Sequence, residues 1–317
     1  MLDVLMIGET DWANTGFRFS RCLRLLGLDV LMIKANYHPF MYPEQAIVHP
    51  QFMGLPSSLP SIEELIDSAK VIHFVGSVAL KDMPIIKGKK YVVQHGGSIY
   101  RENHKEINDY FNSFCDAAII QCPDLLGLGA KNEHLIYYPV DTDFIQPVYE
   151  RKSEKIIIGH FPSNPAVKGT EKIEGVIKRL QDSYLKDKFE YRTGGRVSWI
   201  KNLKRMSECD IIIETLQPEI NGKKYGEWGN TALEAAALGR HVLTNTGNKY
   251  IYEREYGDSP SIGVVNTENE LYDKLKVTIP TPFYLSYGRN ARYWVEKHHS
   301  MQSTAKRLSE KVYGGLL

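Results

Sequence analysis

Cysteine is scarce. The 317-residue chain has four (Cys22, Cys115, Cys122, Cys209), dispersed and with no Cys-x-x-Cys pair. That spacing gives neither a disulfide framework nor a cysteine metal site, and it reads as reduced, mostly buried thiols in a cytoplasmic protein. Neither sign of charge is in excess, with 39 Lys plus Arg against 38 Asp plus Glu. No global field recruits nucleic acid or an anionic membrane, so an anion site has to be built locally. No apolar run approaches the roughly 18–20 residues of a membrane-spanning helix. The first apolar run, from Leu2, is too short for a secretory leader and lacks its basic flank. Internal repeats and low-complexity tracts are also missing. What remains, 43% hydrophobic and 24% charged, is a soluble globular chain able to bury a full core, as one large or two ordinary domains.

Apolar strand runs alternate with helical spacing throughout. Strands are expected at Leu2–Gly8, 28–34, 71–75, 91–94 and 117–121, with a helix over 17–27 closed by Gly27. Ser61 followed by Glu63 and Glu64 reads as a helix N-cap with an acidic first turn. A charged stretch over 148–155 precedes a new strand at 156–159, so the domain boundary is placed near residue 150. The second half repeats the alternation: helix Thr170–Gln181, strand 189–192, helix 197–206, strand 210–214 and strand His241–Thr244. Residues 291–317 form a long amphipathic helix or helix pair. Nearly apolar strands separated by helices predict parallel sheets covered on both faces, with ligands bound at the carboxyl edges.

The chain is organised around residues 225–239. Gly226 and Gly229 open the stretch, helix formers follow from Asn230 and Thr231, and Gly239 closes it. A glycine-rich loop feeding a helix presents free N–H groups and a positive dipole end, which suits a phosphate. Glu234, about one turn further on, is placed to reach a ribose hydroxyl beside that phosphate. Taken alone, the stretch fits equally an ordinary crossover with a surface glutamate.

Several patterns then line up in order. His160-Phe-Pro-Ser163-Asn-Pro-Ala-Val-Lys168-Gly169-Thr170 is a strand-end loop closing on Lys-Gly. Pro139-Val-Asp141-Thr-Asp143-Phe144-Ile-Gln-Pro147 is an inter-domain segment, and Leu233-Glu234-Ala235-Ala236-Ala237-Leu238-Gly239 is the latter part of the helix run with its closing glycine. Gln94-His95-Gly96 ends a central strand. Together they resemble the retaining GT-B glycosyltransferases of family 4 (group 1) over nearly the whole chain. The resemblance implies an α/β fold of two Rossmann-like, doubly wound parallel-sheet domains facing a cleft. Residues 1–150 would form the acceptor-side domain and 151–290 the donor domain, with 291–317 crossing back to the first. It also implies a hexosyltransferase that moves sugar from a UDP- or GDP-sugar to a glycan, lipid-linked or other hydroxyl acceptor. No metal and no cofactor beyond that co-substrate are implied. Two departures stand out: the family's first glutamate falls on Gly226, leaving Glu227 one place late, and Ser163 and Asn164 stand where the family has an arginine.

The resemblance gives the residues roles. Lys168 would stabilise the departing diphosphate, with Gly169 allowing close backbone approach and Thr170 capping the helix. Ser163 and the N–H groups around Gly229, Asn230 and Thr231 would complete the cradle, and Glu234 would hold the ribose. Gly16, in the loop over residues 9–16, would open a helix toward the diphosphate. His95 would touch the sugar, its carbonyl favouring positive charge at the anomeric carbon. Glu214, at a strand end, is the candidate to replace the missing glutamate. Arg101, Arg192 and Arg196 are further phosphate or acceptor candidates, and residues 37–60 are the acceptor-side loop. Asp141-Thr-Asp143 resembles a metal motif of the other glycosyltransferase fold but reads here as a linker turn. His-Gly-Gly-Ser resembles an esterase oxyanion loop, yet no Gly-x-Ser-x-Gly nucleophile accompanies it. A nucleotide-sugar epimerase and a catalytically silent nucleotide-sugar or glycan-binding protein are the alternatives. The first lacks extra carboxylates beside His95, and the second is favoured by the missing glutamate.

Overall fold

The computed structural model describes residues 1–77, 85–150 and 153–317. Its contacts divide into two compact units, Met1–Pro139 with Met301–Leu317, and Val140–Ser300. The first carries strands β1 (Leu2–Gly8), β2 (Val30–Lys34), β3 (Ile47–Val48), β4 (Ala69–Val75), β5 (Lys90–His95), β6 (Ala117–Ile120) and β7 (Glu133–Leu135). They form one parallel sheet in the order β3-β2-β1-β4-β5-β6-β7. Helices α1 (Thr15–Leu25), α2 (Ile62–Ser68) and α3 (Gly97–Phe111) connect them. The central strands are buried along nearly their whole length, as their unbroken apolar runs require. Ser61 and Glu64 form the reciprocal cap at α2 that their spacing predicts.

The second unit begins with β8 (Ile156–His160), α4 (Pro165–Lys168), α5 (Thr170–Gln181), β9 (Phe189–Thr193), α6 (Trp199–Ser207) and β10 (Ile211–Thr215). A short hairpin, β11 (Glu219–Ile220) and β12 (Lys223–Lys224), leads to α7 (Asn230–Ala237). The unit continues through β13 (His241–Thr244), α8 (Lys249–Tyr256), β14 (Gly263–Val264), α9 (Glu268–Thr278) and α10 (Phe283–His299). Its parallel sheet has the order β14-β13-β10-β8-β9. One sheet thus forms in each half of the chain, as the alternation predicts.

The C-terminal stretch is a helix pair rather than one rod. It breaks at Ser300, and the last helix, α11 (Met301–Lys311), belongs to the first unit. Met301, Ala305 and Leu308 share a core there with Phe19, Cys22 and Leu23 of α1. Tyr313 follows with its hydroxyl 2.7 Å from His73 Nδ1. By contrast, α10 stays with the second unit. A Cβ at Gly288 would stand 2.1 Å from the Gly239 carbonyl oxygen, so glycine lets α10 lie against the α7–β13 turn.

The sequence places the boundary near residue 150, whereas the contacts draw it at Pro139/Val140; residues 151 and 152 lie outside the described residues. The reason is hydrogen bonding from a distance. Val140 N–H donates to the His299 carbonyl at 2.7 Å, and Val148 N–H to the Leu238 carbonyl at 3.0 Å. The buried Arg292 guanidinium donates to the carbonyls of Thr142 (2.9 Å), Ala237 (2.8 Å) and Ile145, and its Nε donates to Glu296 at 2.7 Å. One side chain therefore fastens the segment after Val140 to the end of α7. Arg292→Leu would remove a buried donor from all three carbonyls, Thr142 alone keeping a second one from Gln146 Nε2 at 3.2 Å, and urea unfolding is expected to show a loss of about 2–4 kcal/mol.

Burial also sets how stability follows pH. Desolvation pushes His160 down to about 4 and His73, His95 and His241 down to about 3, against an ordinary 6.5. The folded chain keeps these rings neutral while the unfolded chain protonates them, so their stabilisation is full above pH 6.5 and lost as pH falls through the folded values. Asp11 acts in the opposite sense. Burial pushes its carboxyl from 3.8 up to about 6, so its contribution is full below 3.8 and lost as pH rises through 6. Burial likewise pushes His38 down to about 4, so five histidines outweigh one aspartate. The urea midpoint is expected to fall steadily from about pH 7 to about pH 4.5, and a flat or rising midpoint would contradict this balance.

Candidate functional site

In the second unit, β8 and β10 lie side by side and deliver two loops to the carboxyl edge of their sheet. After β8, Pro165 opens α4 and Lys168 ends it. Gly169 then adopts φ 67°, serving at once as the C-cap of α4 and the N-cap of α5. A Cβ there would stand 2.4 Å from the Leu216 carbonyl oxygen, so only glycine permits this approach to the end of β10. The Lys168 carbonyl accepts from Leu216 N–H at 3.1 Å, which pins the lysine backbone to that strand end. Thr170 is not a cap. Its hydroxyl lies 2.9 Å from His160 Nε2, while His160 Nδ1 lies 2.8 Å from the Ile213 carbonyl.

Glu214, the penultimate residue of β10, brings the two loops together. One carboxylate oxygen lies 3.1 Å from Lys168 Nζ, and Gly229 N–H donates to both oxygens at 3.1 Å. Its side chain is 2% exposed and that of Lys168 23%. Gly229 is the N-cap of α7, so the carboxylate sits on the positive end of that helix. A negatively charged oxygen is thus already held between an ammonium and a helix N-terminus. Asn230 and Thr231, both half-buried, form the first turn of α7. Ser163 is exposed, and its carbonyl accepts from Arg196 Nε at 2.9 Å.

Glu234 lies inside α7 and is buried, with one carboxylate oxygen accepting from Trp199 Nε1 at 2.8 Å. The Trp199 ring stacks on Phe144, with centroids 5.5 Å apart. Glu227 is buried too, and its carboxylate turns away to the loop after β13, accepting from the Thr246 hydroxyl, Asn248 Nδ2 (3.0 Å) and Gly247 N–H (3.3 Å). The sequence gives no hint of Asn245 or Trp199. Asn245 clamps the loop before α7: its Oδ1 accepts from Gln217 N–H at 2.7 Å, and its Nδ2 donates to the Gly226 carbonyl at 3.1 Å. Asp141 makes the expected turn, its carboxylate accepting from Phe144 N–H at 3.0 Å.

In the first unit the N-terminus of α1 is already filled. Gly16 N–H donates to Asp11 Oδ1 at 2.7 Å and Phe17 N–H to Asp11 Oδ2 at 3.0 Å. A Cβ at Gly16 would stand 2.5 Å from Met32 and 2.7 Å from Val75, so this glycine serves the seating of α1 on the sheet. The preceding loop holds Asp11, Ala13 and Asn14 at φ 55–57°, strained values for these residues. His95 is buried at the end of β5. Its Nδ1 lies 2.9 Å from the Ser77 hydroxyl, its ring stacks on Tyr100 at 4.1 Å, and burial keeps it neutral. The carbonyl expected to face developing positive charge accepts from Gln121 N–H at 3.1 Å. Arg101 is paired with Asp124 at 2.6 Å and Arg192 with Glu190 at 2.6 Å.

No protein-family model and no curated protein matches this chain. Solved structures do. Sucrose-phosphate synthase from Thermosynechococcus elongatus matches with a TM-score of 0.66 at 13% identity, over 99% of each chain. HepE from Anabaena, solved with UDP and glucose, matches with a TM-score of 0.67 at 10% identity, over 99% of this chain and 100% of its own. AviGT4, a glycosyltransferase involved in avilamycin A biosynthesis, matches with a TM-score of 0.58 at 14% identity, over 100% and 98%. At such identities the likeness speaks for the fold. The chain has the two-domain α/β fold of GT-B type.

Gly226, where the resembling family has its first glutamate, sits at φ 87°. A Cβ would meet Asn245 Nδ2 at 2.5 Å and the Gln217 carbonyl oxygen at 3.0 Å. No side chain is accommodated there. Gly226→Ala is expected to cost about 2 kcal/mol or more in chemical denaturation, and a neutral result would show that the loop relaxes freely.

Proposed function

We propose that the chain is a glycosyltransferase that takes its sugar from a nucleotide diphosphate donor, a UDP- or GDP-sugar, and passes it to a hydroxyl acceptor. The observation that carries this reading is the Lys168–Glu214–Gly229 arrangement, in which an ammonium and a helix N-terminus converge on one anionic oxygen. The fold it shares with the UDP-bound HepE supports the same choice. The departing diphosphate accumulates negative charge as the anomeric carbon–oxygen bond breaks. Lys168 and the N–H groups of Gly229 and Asn230 are the groups that would stabilise it, with no metal required. Ser163 and Gly169 border the lysine, and Glu234, oriented by Trp199, would accept from the ribose hydroxyls.

We further propose transfer with retention, which the resemblance to the family 4 enzymes implies, and, since no protein nucleophile accompanies these groups among the described residues, attack from the front face. The acceptor hydroxyl attacks the face from which the diphosphate leaves, the new carbon–oxygen bond forms as the old one breaks, and the hydroxyl proton passes to the departing phosphate oxygen. His95, neutral through burial, would act by hydrogen bonding rather than as an acid. One observation favours a silent nucleotide-sugar binder instead: Gly226 leaves the family's first carboxylate position empty.

Lys168→Ala is expected to lower kcat by about a hundredfold or more, since it removes charge stabilisation specific to the transition state. Glu234→Ala is expected mainly to raise KM for the donor, by roughly tenfold. Titration with a panel of nucleotide sugars, followed by turnover with the binder, checks both. Unchanged activity in both variants would sink the site assignment, and tight binding without turnover would select the silent protein.

A further inference from the structure

We propose that Glu214 is a built-in competitor of the donor phosphate. Its carboxylate holds the phosphate-binding groups in the empty protein and must be displaced from them on binding, so it sets donor affinity. The proposal rests on the donor reading above but is carried by geometry of its own. Among the described residues, Glu214 is the one side-chain partner of Lys168 Nζ. The same carboxylate takes the Gly229 N–H through both oxygens, occupying the anion position of an eight-residue helix. A Cβ at Gly229 would lie 3.1 Å from Glu214 Oε1, so the carboxylate has backbone, not side chain, against it. It reaches this place because it is the penultimate residue of a buried strand, and its 2% exposure leaves little solvent screening.

A phosphate oxygen approaching Lys168 and Gly229 meets a fixed negative charge that already owns both contacts. Either the carboxylate swings aside or the phosphate binds next to it, and both outcomes weaken anion affinity. Glu214 is a positioning residue in this account. It keeps Lys168 folded against α7 in the empty state and fixes how tightly a diphosphate, as donor or as product, is held.

Glu214→Gln retains the size and an acceptor oxygen for Gly229 N–H while removing the charge. By isothermal titration it is expected to bind UDP and inorganic pyrophosphate about tenfold tighter than the wild type, the size of one charge-assisted contact. The gain is expected to shrink in a Lys168→Ala background, because without the ammonium the Gly229 N–H is the one contact left for the carboxylate to compete for. Glu214→Asp, which keeps the charge but retracts it, is expected to fall between, and it serves if the glutamine variant fails to fold. Unchanged or weaker binding in both Glu214 variants overturns the proposal, as does a gain that is undiminished without Lys168. Pyrophosphate separates this idea from the donor reading. A response of pyrophosphate to Glu214→Gln with no nucleotide sugar bound leaves the competitor standing and removes the donor reading. Nucleotide-sugar turnover with affinities indifferent to Glu214 does the reverse. Absence of pyrophosphate and UDP binding in every form overturns both.

Discussion

A parallel sheet connected through helices delivers those helices with their N-terminal N–H groups at its carboxyl edge, where no turn of helix precedes to accept them. A negative group is favoured there. At two of the loop-to-helix junctions a carboxylate from the preceding loop or strand takes that place: Asp11 on α1 and Glu214 on α7. The two are not equivalent. Asp11 is enclosed by a strained loop and seats a helix that Gly16 allows to press on the sheet, so it belongs to the folding of the first unit. Glu214 is shared with Lys168, a cation whose backbone is anchored but whose side chain stays partly exposed, so its contact can be exchanged for another anion.

That exchange depends on rigid surroundings. Gly169 fixes the lysine's backbone against Leu216, and Asn245 clamps the loop from Gln217 to Gly226. Trp199 holds the Glu234 carboxylate from the side. Each of these residues fixes a neighbour's position, and together they confine any rearrangement to the Lys168 and Glu214 side chains.

Periodic and local information was legible in the sequence. The α5 helix appears at its observed limits because its apolar spacing is clean, and the cap at α2 follows from Ser61 and Glu64. The stretch opening α7 is recognisable by its glycines and helix formers. Illegible features depend on partners far along the chain. Glu214 lies 46 residues from Lys168 and 15 from Gly229, and only the folding of β10 beside β8 brings the three together. Glu227 is adjacent in sequence to the expected glutamate, yet Thr246 and Asn248 claim its carboxylate. The boundary moves because Arg292, some 150 residues on, binds the segment after Val140. Thr170 reads as a cap until His160 is seen to hold its hydroxyl.

The left-handed backbone at Gly226 also bears on how this sequence can change. Its loop conformation, the Asn245 clamp and the placement of Glu214 on Gly229 N–H form one interlocked solution. Installing a side chain at position 226 displaces Asn245 first, and removing Asn245 alone releases Gln217 and the loop. Each step by itself passes through a less stable protein. Exchange of Gly226 for a residue with a side chain is therefore a valley crossing, in which the order of substitutions decides whether the path is open.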